Sequence, residues 1–412
     1  MTRPAIAIVG GGIAGLGAAR ALGPRADVTL FEAAPAVGGH VHTAVVDGVA
    51  VDLGFIVFSR PSYPRLCALF DELGVASRPT AMAFSVAVPD GDDVLEWSSA
   101  SPAGWFAQPR RLWSRRHWRF LREVVRLLGY GRADLGTDRT RRATLDEWLR
   151  DRGVDADVRD RFCVPLASAL WSMAPSRCGD FPAETFVRFL HHHGMLRTTR
   201  PHPWRTVIGG SATYVRALVA QARFAIETDA AVSAIHRDGA GVTLTVGGRE
   251  RRFDRVVLAT HADVALRLLA APTADEARWL GPLATSENRT VLHGDESVMP
   301  RARRAWAAWN YAASDGPAHI TYWMNELMGL PTAPPFLVTL NPTRPPAHVH
   351  AVAEFRHPQF DFAALAAQTA LPRLQGVART YFAGAWTGFG FHEDGLRSGQ
   401  LAAARLLADE GA

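Results

Sequence analysis

The sequence predicts an α/β fold: a Rossmann-like domain interwoven with an α+β domain that would hold a substrate. Three observations predict it. Gly10, Gly12 and Gly15 form a G-x-G-x-x-G turn between a short apolar run and an alanine-rich stretch, the pattern of strand, tight turn and helix. Glu32 ends the next apolar run, about 20 residues on, where such folds place a carboxylate against a ribose. The chain closes on a second run of strand, glycine turn and helix, from Thr380 onward, and its 412 residues exceed one ordinary core.

Each element has a local reason. In the first turn Gly10 makes the bend and Gly12 lets backbone approach a pyrophosphate. Gly15 allows the helix to press on the sheet, and Ala14 lies in the same cradle at the helix N-terminus. The run from Asp27 reads as a second strand ending at Glu32. Gly38 and Gly39 follow, and Gly54 sits between short apolar runs before Phe55, Ile56 and Val57. A later strand is expected over Val256–Thr260. The nucleotide domain is therefore drawn as residues 1–75, 206–265 and 371–412. Residues 76–205 and 266–370 are drawn as the substrate domain. Proline-rich turns between Leu330 and Pro346 read as loops over it.

Composition excludes several classes. The chain is 48% hydrophobic and 21% charged, which describes a globular protein. No apolar run approaches the roughly 20 residues that span a bilayer, and no signal peptide is read, so a cytoplasmic location is expected. Net charge is +5 and is not gathered into a basic domain, which argues against nucleic acid. All 45 basic residues are arginine, so every lysine mechanism is excluded. Cys67, Cys163 and Cys178 lack disulfide or metal spacing. His191, His192 and His193 are consecutive and share no helical face, so no metal site is expected. His40 and His42 beside the double glycine are read as contacts to the cofactor.

Residues 112–128 read as a basic amphipathic helix. Trp113, Phe120, Val124 and Leu128 fall near one face, and Arg115, Arg119, Arg122 and Arg126 recur on another. Two readings stay open: an ordinary covering helix with solvated arginines, or peripheral contact with a membrane surface. Leu166–Pro175 and Arg304–Tyr311 are aromatic-rich and suit apolar tunnel walls and core equally.

With these motifs in place, the sequence resembles the flavin amine oxidase and phytoene desaturase branch of the two-dinucleotide-binding-domain flavoproteins. More narrowly it is similar to bacterial FAD-binding proteins encoded near cyclopropane-fatty-acid-synthase-like methyltransferases. The resemblance implies FAD, and because Cys67, Cys163 and Cys178 lie outside these motifs it is expected to be non-covalent. It would place Gly10, Gly12, Gly15 and Glu32 on the ADP half, and Gly39 and His40 along the pyrophosphate. Gly54 to Val57 would line the flavin ring, and the backbone of Val232 would pair with adenine. Gly384 and Ala385 would approach the pyrophosphate or ribityl chain, and Gly395 and Leu396 would offer backbone N–H groups to the flavin. Two departures stand out: His40 replaces the usual arginine after the double glycine, and no lysine exists to hold a water near the flavin.

Catalytic candidates are His392, which would face the substrate, with Arg289 and His293 on a strand near the flavin face. Asp394 would cap the last helix, and Glu393 would do likewise or pair with Arg397. The expected activity is an FAD-dependent oxidoreductase removing hydride from a C–H bond of a small, apolar, fatty-acyl-type substrate. Amine oxidation, redox-neutral double-bond isomerisation and a non-catalytic membrane-associated flavoprotein are the alternatives. The sequence does not give the oligomeric state.

Overall fold

The computed structural model describes residues 3–197, 202–314, 316–331 and 334–411. Two residues of the proline-rich turn, at 332 and 333, lie outside the described residues. A five-stranded parallel sheet carries the nucleotide fold. Its order is Ala225–Glu227, Asp27–Phe31, Ala5–Val9, Arg255–Leu258 and Thr380–Phe382. The two central strands are almost wholly buried and apolar, as parallel sheets covered on both faces require.

The fingerprint helix Ile13–Leu22 packs on the C-terminal helix His392–Glu410. Small residues make that approach possible. A Cβ on Gly399 would sit 2.0 Å from the Ala14 carbonyl oxygen, and one on Gly15 would sit 1.9 Å from that of Gly10. Gly10 itself adopts φ +107°, which an L side chain rarely reaches. An antiparallel meander, Val232–Arg237, Val242–Val246 and Arg249–Phe253, lies beside the sheet.

A seven-stranded sheet forms the second layer system. Its order is Val349–Pro358, Thr285–His293, Leu337–Leu340, His319–Trp323, Trp309–Ala312, Phe84–Asp90 and Asp93–Ser98. Helices between residues 115 and 192 cover it and share its core, with Trp97, Trp148, Phe186 and Phe189 fully buried. Helices Ala262–Leu268, Ala274–Leu280 and Phe362–Ala370 instead contribute to the core cluster against the nucleotide sheet, with Ala265, Leu280 and Ala367 at 0% exposure. The boundaries drawn at 265/266 and 370/371 cut through that packing.

The Arg-rich segment also differs from expectation. A 3-10 turn covers Pro109–Trp113, Ser114 caps the start, and the helix runs from Arg115 to Asp134. Phe120, Val124 and Leu127 are buried, but Trp113 lies before the cap and is 90% exposed. It is not part of the apolar face.

Candidate active site

A cavity of about 680 Å³ joins the two halves of the molecule. One end is lined by backbone. Gly10, Gly11, Gly12, Ala14, Gly39, Gly384 and Gly395 all border it. A Cβ on Gly12 would meet nothing nearer than Gly39 at 3.9 Å, so the space beside it is open. Gly39, at φ +58°, turns the chain across that space. Glu32 accepts the N–H groups of Gly11 (2.7 Å) and Ala34 (2.9 Å), which fixes its carboxylate with lone pairs to spare for ribose hydroxyls. Among the described residues no arginine lines the cavity. A pyrophosphate there would be met by backbone N–H groups and helix N-termini. This is the donor set a dinucleotide fits. Val232, Ala385, Gly54, Phe55, Ile56 and Val57 also border the cavity.

The middle of the cavity holds imidazoles. His392, which is 9% exposed, stacks on Phe55 with ring centroids 4.0 Å apart, and its Nε2 faces the Tyr214 hydroxyl at 2.6 Å. Tyr214 is fully buried. His40 donates Nε2–H to the Arg356 carbonyl (3.1 Å) and packs against Phe355, His357 and His261, with centroids 5.1, 5.5 and 5.9 Å away. His357 Nδ1 meets the Ser172 hydroxyl at 2.8 Å. Ser172 ends its helix at φ +53°, a conformation that costs energy for a non-glycine residue and points this hydroxyl across the domain junction. All four rings are neutral at physiological pH. Burial, reinforced by the neighbouring rings, lowers His357 and His392 to about 3 and His261 to about 4. Burial likewise lowers His40, against its bond to the Arg356 carbonyl.

The far end is aromatic and aliphatic. Phe84, Trp309, Tyr322 and Leu340 come from one face of the large sheet, and Trp171, Phe189 and Phe391 close the other side. Residues from both aromatic-rich segments wall this chamber, while Leu166 and Ala167 pack in core. Thr290 interrupts the apolar sheet face. It is 2% exposed, borders the cavity, and its hydroxyl has no hydrogen-bond partner among the described residues. His193 joins from the C-terminal cap of the helix Ala183–His192, neutral, with burial lowering it to about 3. Among the described residues no group of side chains could hold a metal ion.

Several expected roles do not match this geometry. Arg289 and His293 do not border the cavity. Side chains alternate along a strand, so Thr290 takes the inner face and Arg289 the outer, 62% exposed near Glu354. His293 is fully buried elsewhere, with Nε2 on the Thr339 hydroxyl (2.7 Å) and Nδ1 accepting the Asp295 N–H (3.0 Å). Gly15, which packs under the Gly10 carbonyl, and Gly38, Asp394 and Leu396 also lie off the cavity. Gly38 braces the fingerprint turn by donating to the Gly11 carbonyl. Leu396 is buried against Gly17 of the fingerprint helix. The Gly395 N–H is used within the helix, on the Phe391 carbonyl, so it and Leu396 are not the free donors expected. The N–H groups that precede the first intrahelical bond belong to the first turn, His392 to Asp394.

Asp394 stands three residues inside the helix rather than at the cap. It reaches back to the N–H groups of Phe389 (3.0 Å) and Phe391 (3.2 Å) and pairs with Arg397. Glu393 does not pair with Arg397. It accepts the N–H groups of Arg65 and Leu66, both at 3.0 Å, and so caps the helix Pro64–Leu73.

A glycine-lined nucleotide channel opening into an apolar chamber defines an FAD-dependent oxidoreductase of the Rossmann class. The chain belongs to the flavin containing amine oxidoreductase family, whose model matches residues 13–285. It is 29% identical over 337 residues to a Mycobacterium tuberculosis protein assigned as flavin-containing monoamine oxidase AofH, covering 77% of this chain and 70% of that one. An 87-residue stretch is 41% identical to a coproporphyrinogen III oxidase of Mycobacterium bovis, 20% of this chain and 19% of that one. Among solved structures, cyclohexylamine oxidase from Brevibacterium oxydans superposes over 100% of both chains, at TM-score 0.73 and 18% identity. A fatty acid isomerase from P. acnes that produces CLA superposes over 98% of both, at TM-score 0.67 and 17% identity. These two share the fold. The flavin is held without a covalent thioether: Cys67, Cys163 and Cys178 are buried and none borders the cavity.

Proposed function

We propose that the protein dehydrogenates a largely apolar, uncharged portion of its substrate at a C–H bond, the acyl chain of a modified or unsaturated fatty acid being the substrate class that fits best. One observation carries this reading. Among the described side chains that border the cavity Glu32 is the one acid, none is an arginine, and Glu32 belongs to the nucleotide end. Among the described residues the chamber offers no carboxylate to an ammonium head and no arginine to a carboxylate head. Burying either ion unpaired costs several kcal/mol, on the order of the desolvation of one charged group. A hydrocarbon segment meets no such cost, and a charged head would remain at the mouth.

Bound FAD supplies hydride acceptance. The chain supplies position and a proton acceptor. Dehydrogenation releases one proton beside the hydride, and His357 is the acceptor we favour. Its ring borders the cavity, and in the tautomer whose Nδ1–H donates to the Ser172 hydroxyl Nε2 carries the lone pair. Burial lowers it to about 3, so it is a weak base and accepts the proton only as the hydride leaves. His392, locked between Phe55 and Tyr214, orients the opposite wall.

Amine oxidation is the second reading, favoured by the family and by the AofH relative. A neutral amine would enter the chamber as readily as an alkene. The fatty acid isomerase among the structural neighbours supports an acyl chain in this fold. The test is anaerobic mixing of purified flavoprotein with unsaturated or methyl-branched acyl lipids and, separately, with cyclohexylamine. Bleaching of the flavin band by lipid alone is expected. Bleaching by the amine alone overturns the lipid reading, and lipid turnover without bleaching points to isomerisation.

A further inference from the structure

The Arg-rich segment carries a surface that the active site does not use. Trp113 is 90% exposed, Trp118 53%, Leu112 46% and Val125 54%. They lie on the turn Pro109–Trp113 and the first half of the helix Arg115–Asp134. The Trp118 indole donates to the Leu112 carbonyl at 2.9 Å, and its ring packs on Phe106 with centroids 4.9 Å apart. The turn is thereby tied to the helix, and Trp113 projects from a braced base. Around it stand Arg110, Arg111, Arg115, Arg116, Arg119 and Arg122. Asp90, Asp93, Asp155 and Asp157 pair with four of these, whereas Arg115 and Arg122 have no acidic partner among the described residues. The surface is thus apolar at its tip and net positive around it.

We infer that this surface docks on an anionic lipid bilayer, with Leu112 and Trp113 entering the headgroup region and Arg115 and Arg122 meeting lipid phosphates. The chemistry matches one occupant. Tryptophan is the side chain whose amphipathic ring suits headgroup depth, and arginine can keep its charge at the phosphates while its stem lies along apolar surface. No helix among the described residues is long and apolar enough to cross a membrane, so the contact is peripheral. The placement also has a consequence for substrate access. The Arg-rich helix packs on the helix Ala183–His192, whose Phe189 borders the chamber. Docking would hold a chamber wall about 10 Å, one helix spacing, behind the lipid face. The inference stands independently of which substrate is oxidised.

The test uses the FAD-loaded protein and flotation with two vesicle types, phosphatidylcholine alone and equimolar phosphatidylcholine and phosphatidylglycerol. Wild type is expected to float with the anionic vesicles and to be released by salt. Leu112→Ser with Trp113→Ser should weaken the partition about tenfold or more. Arg115→Gln with Arg122→Gln should weaken it about twentyfold at low salt, near fivefold per arginine. Both pairs are exposed and far from the chamber, so flavin content and flavin reduction should match wild type. Quenching of tryptophan fluorescence by brominated lipid should require Trp113. Absence of flotation by wild type, or flotation of both variants like wild type, overturns the inference. So does a dimer in sedimentation that dissociates with Trp113→Ser, because a second copy of the chain would then be the occupant.

Discussion

Shifting the pH from 7.5 to 5 should strip the protein of most of its stability, and the magnitude follows from the buried histidines. His193, His357 and His392 are lowered to about 3, and His261 and His293 to about 4. In the unfolded chain each titrates near 6.5. A group whose folded value is depressed adds stability that is present above the unfolded value and is lost as pH falls toward the folded one. At pH 5 each unfolded imidazole gains about 2 kcal/mol from protonation that its folded counterpart forgoes. Five such groups sum to about 10 kcal/mol, an upper bound because local opening lets individual rings hydrate. Asp52 acts in the opposite sense. Burial raises it to about 6 despite hydrogen bonds from Thr43 and Ser211, so acid favours its folded, neutral form by about 1 kcal/mol over the same interval. The net loss rivals the entire stability of an ordinary domain, about 5–15 kcal/mol. Thermal unfolding followed by flavin fluorescence, in parallel at both pH values and at fixed salt, measures it. Midpoints that coincide would refute the claim that these imidazoles are held neutral inside the fold.

Three substitutions test other parts of the structure. Gly399→Ala places a Cβ against the Ala14 carbonyl and should destabilise by about 3 kcal/mol with a fall in the flavin-to-protein ratio, read by thermal melting and absorbance. Thr290→Val removes a buried hydroxyl that has no partner among the described residues and should leave stability unchanged or raise it by up to about 1 kcal/mol in urea unfolding; a clear loss would show that the hydroxyl is hydrogen-bonded. Glu393→Ala uncaps the helix Pro64–Leu73 and should cost about 1–2 kcal/mol while flavin stays bound, whereas an unchanged melt would assign the two N–H groups another partner.

The parts legible in the sequence were those with a local cause. The turn at Gly10, Gly12 and Gly15 and the acid at Glu32 are specified by backbone needs within one strand–turn–helix unit, and the structure builds that unit. The discontinuous sheet was legible because its last strand, Thr380–Phe382, also precedes a glycine turn. Long-range pairing was not legible. His40 meets Phe355 and His357 from a strand more than 300 residues away, and nothing local marks those positions. Glu393 had an arginine four residues on, yet its partners lie 327 and 328 residues back. Strand phase decided Arg289 against Thr290, and a shift of one residue exchanges the faces. For Trp113 a usable signal existed. Pro109 and Ser114 mark a turn and a helix cap, which place the indole before the helix rather than on its apolar face.

The replacement of a fixed charge by His40 has a wider consequence. Arg356, whose carbonyl accepts from His40, has its guanidinium paired with Asp263 at 2.7 Å, so it is not free for a phosphate. Neutralising the pyrophosphate therefore falls to backbone N–H groups and helix N-termini, whose partial charges do not titrate. Nucleotide affinity should then be insensitive to pH as long as the fold persists, and flavin loss in acid should coincide with unfolding. The imidazoles are left to the chamber end, where neutrality keeps the interior free of charge and preserves lone pairs for proton transfer. A site built this way excludes ions while retaining bases. That combination is what the proposed removal of hydride and proton from an uncharged segment would use.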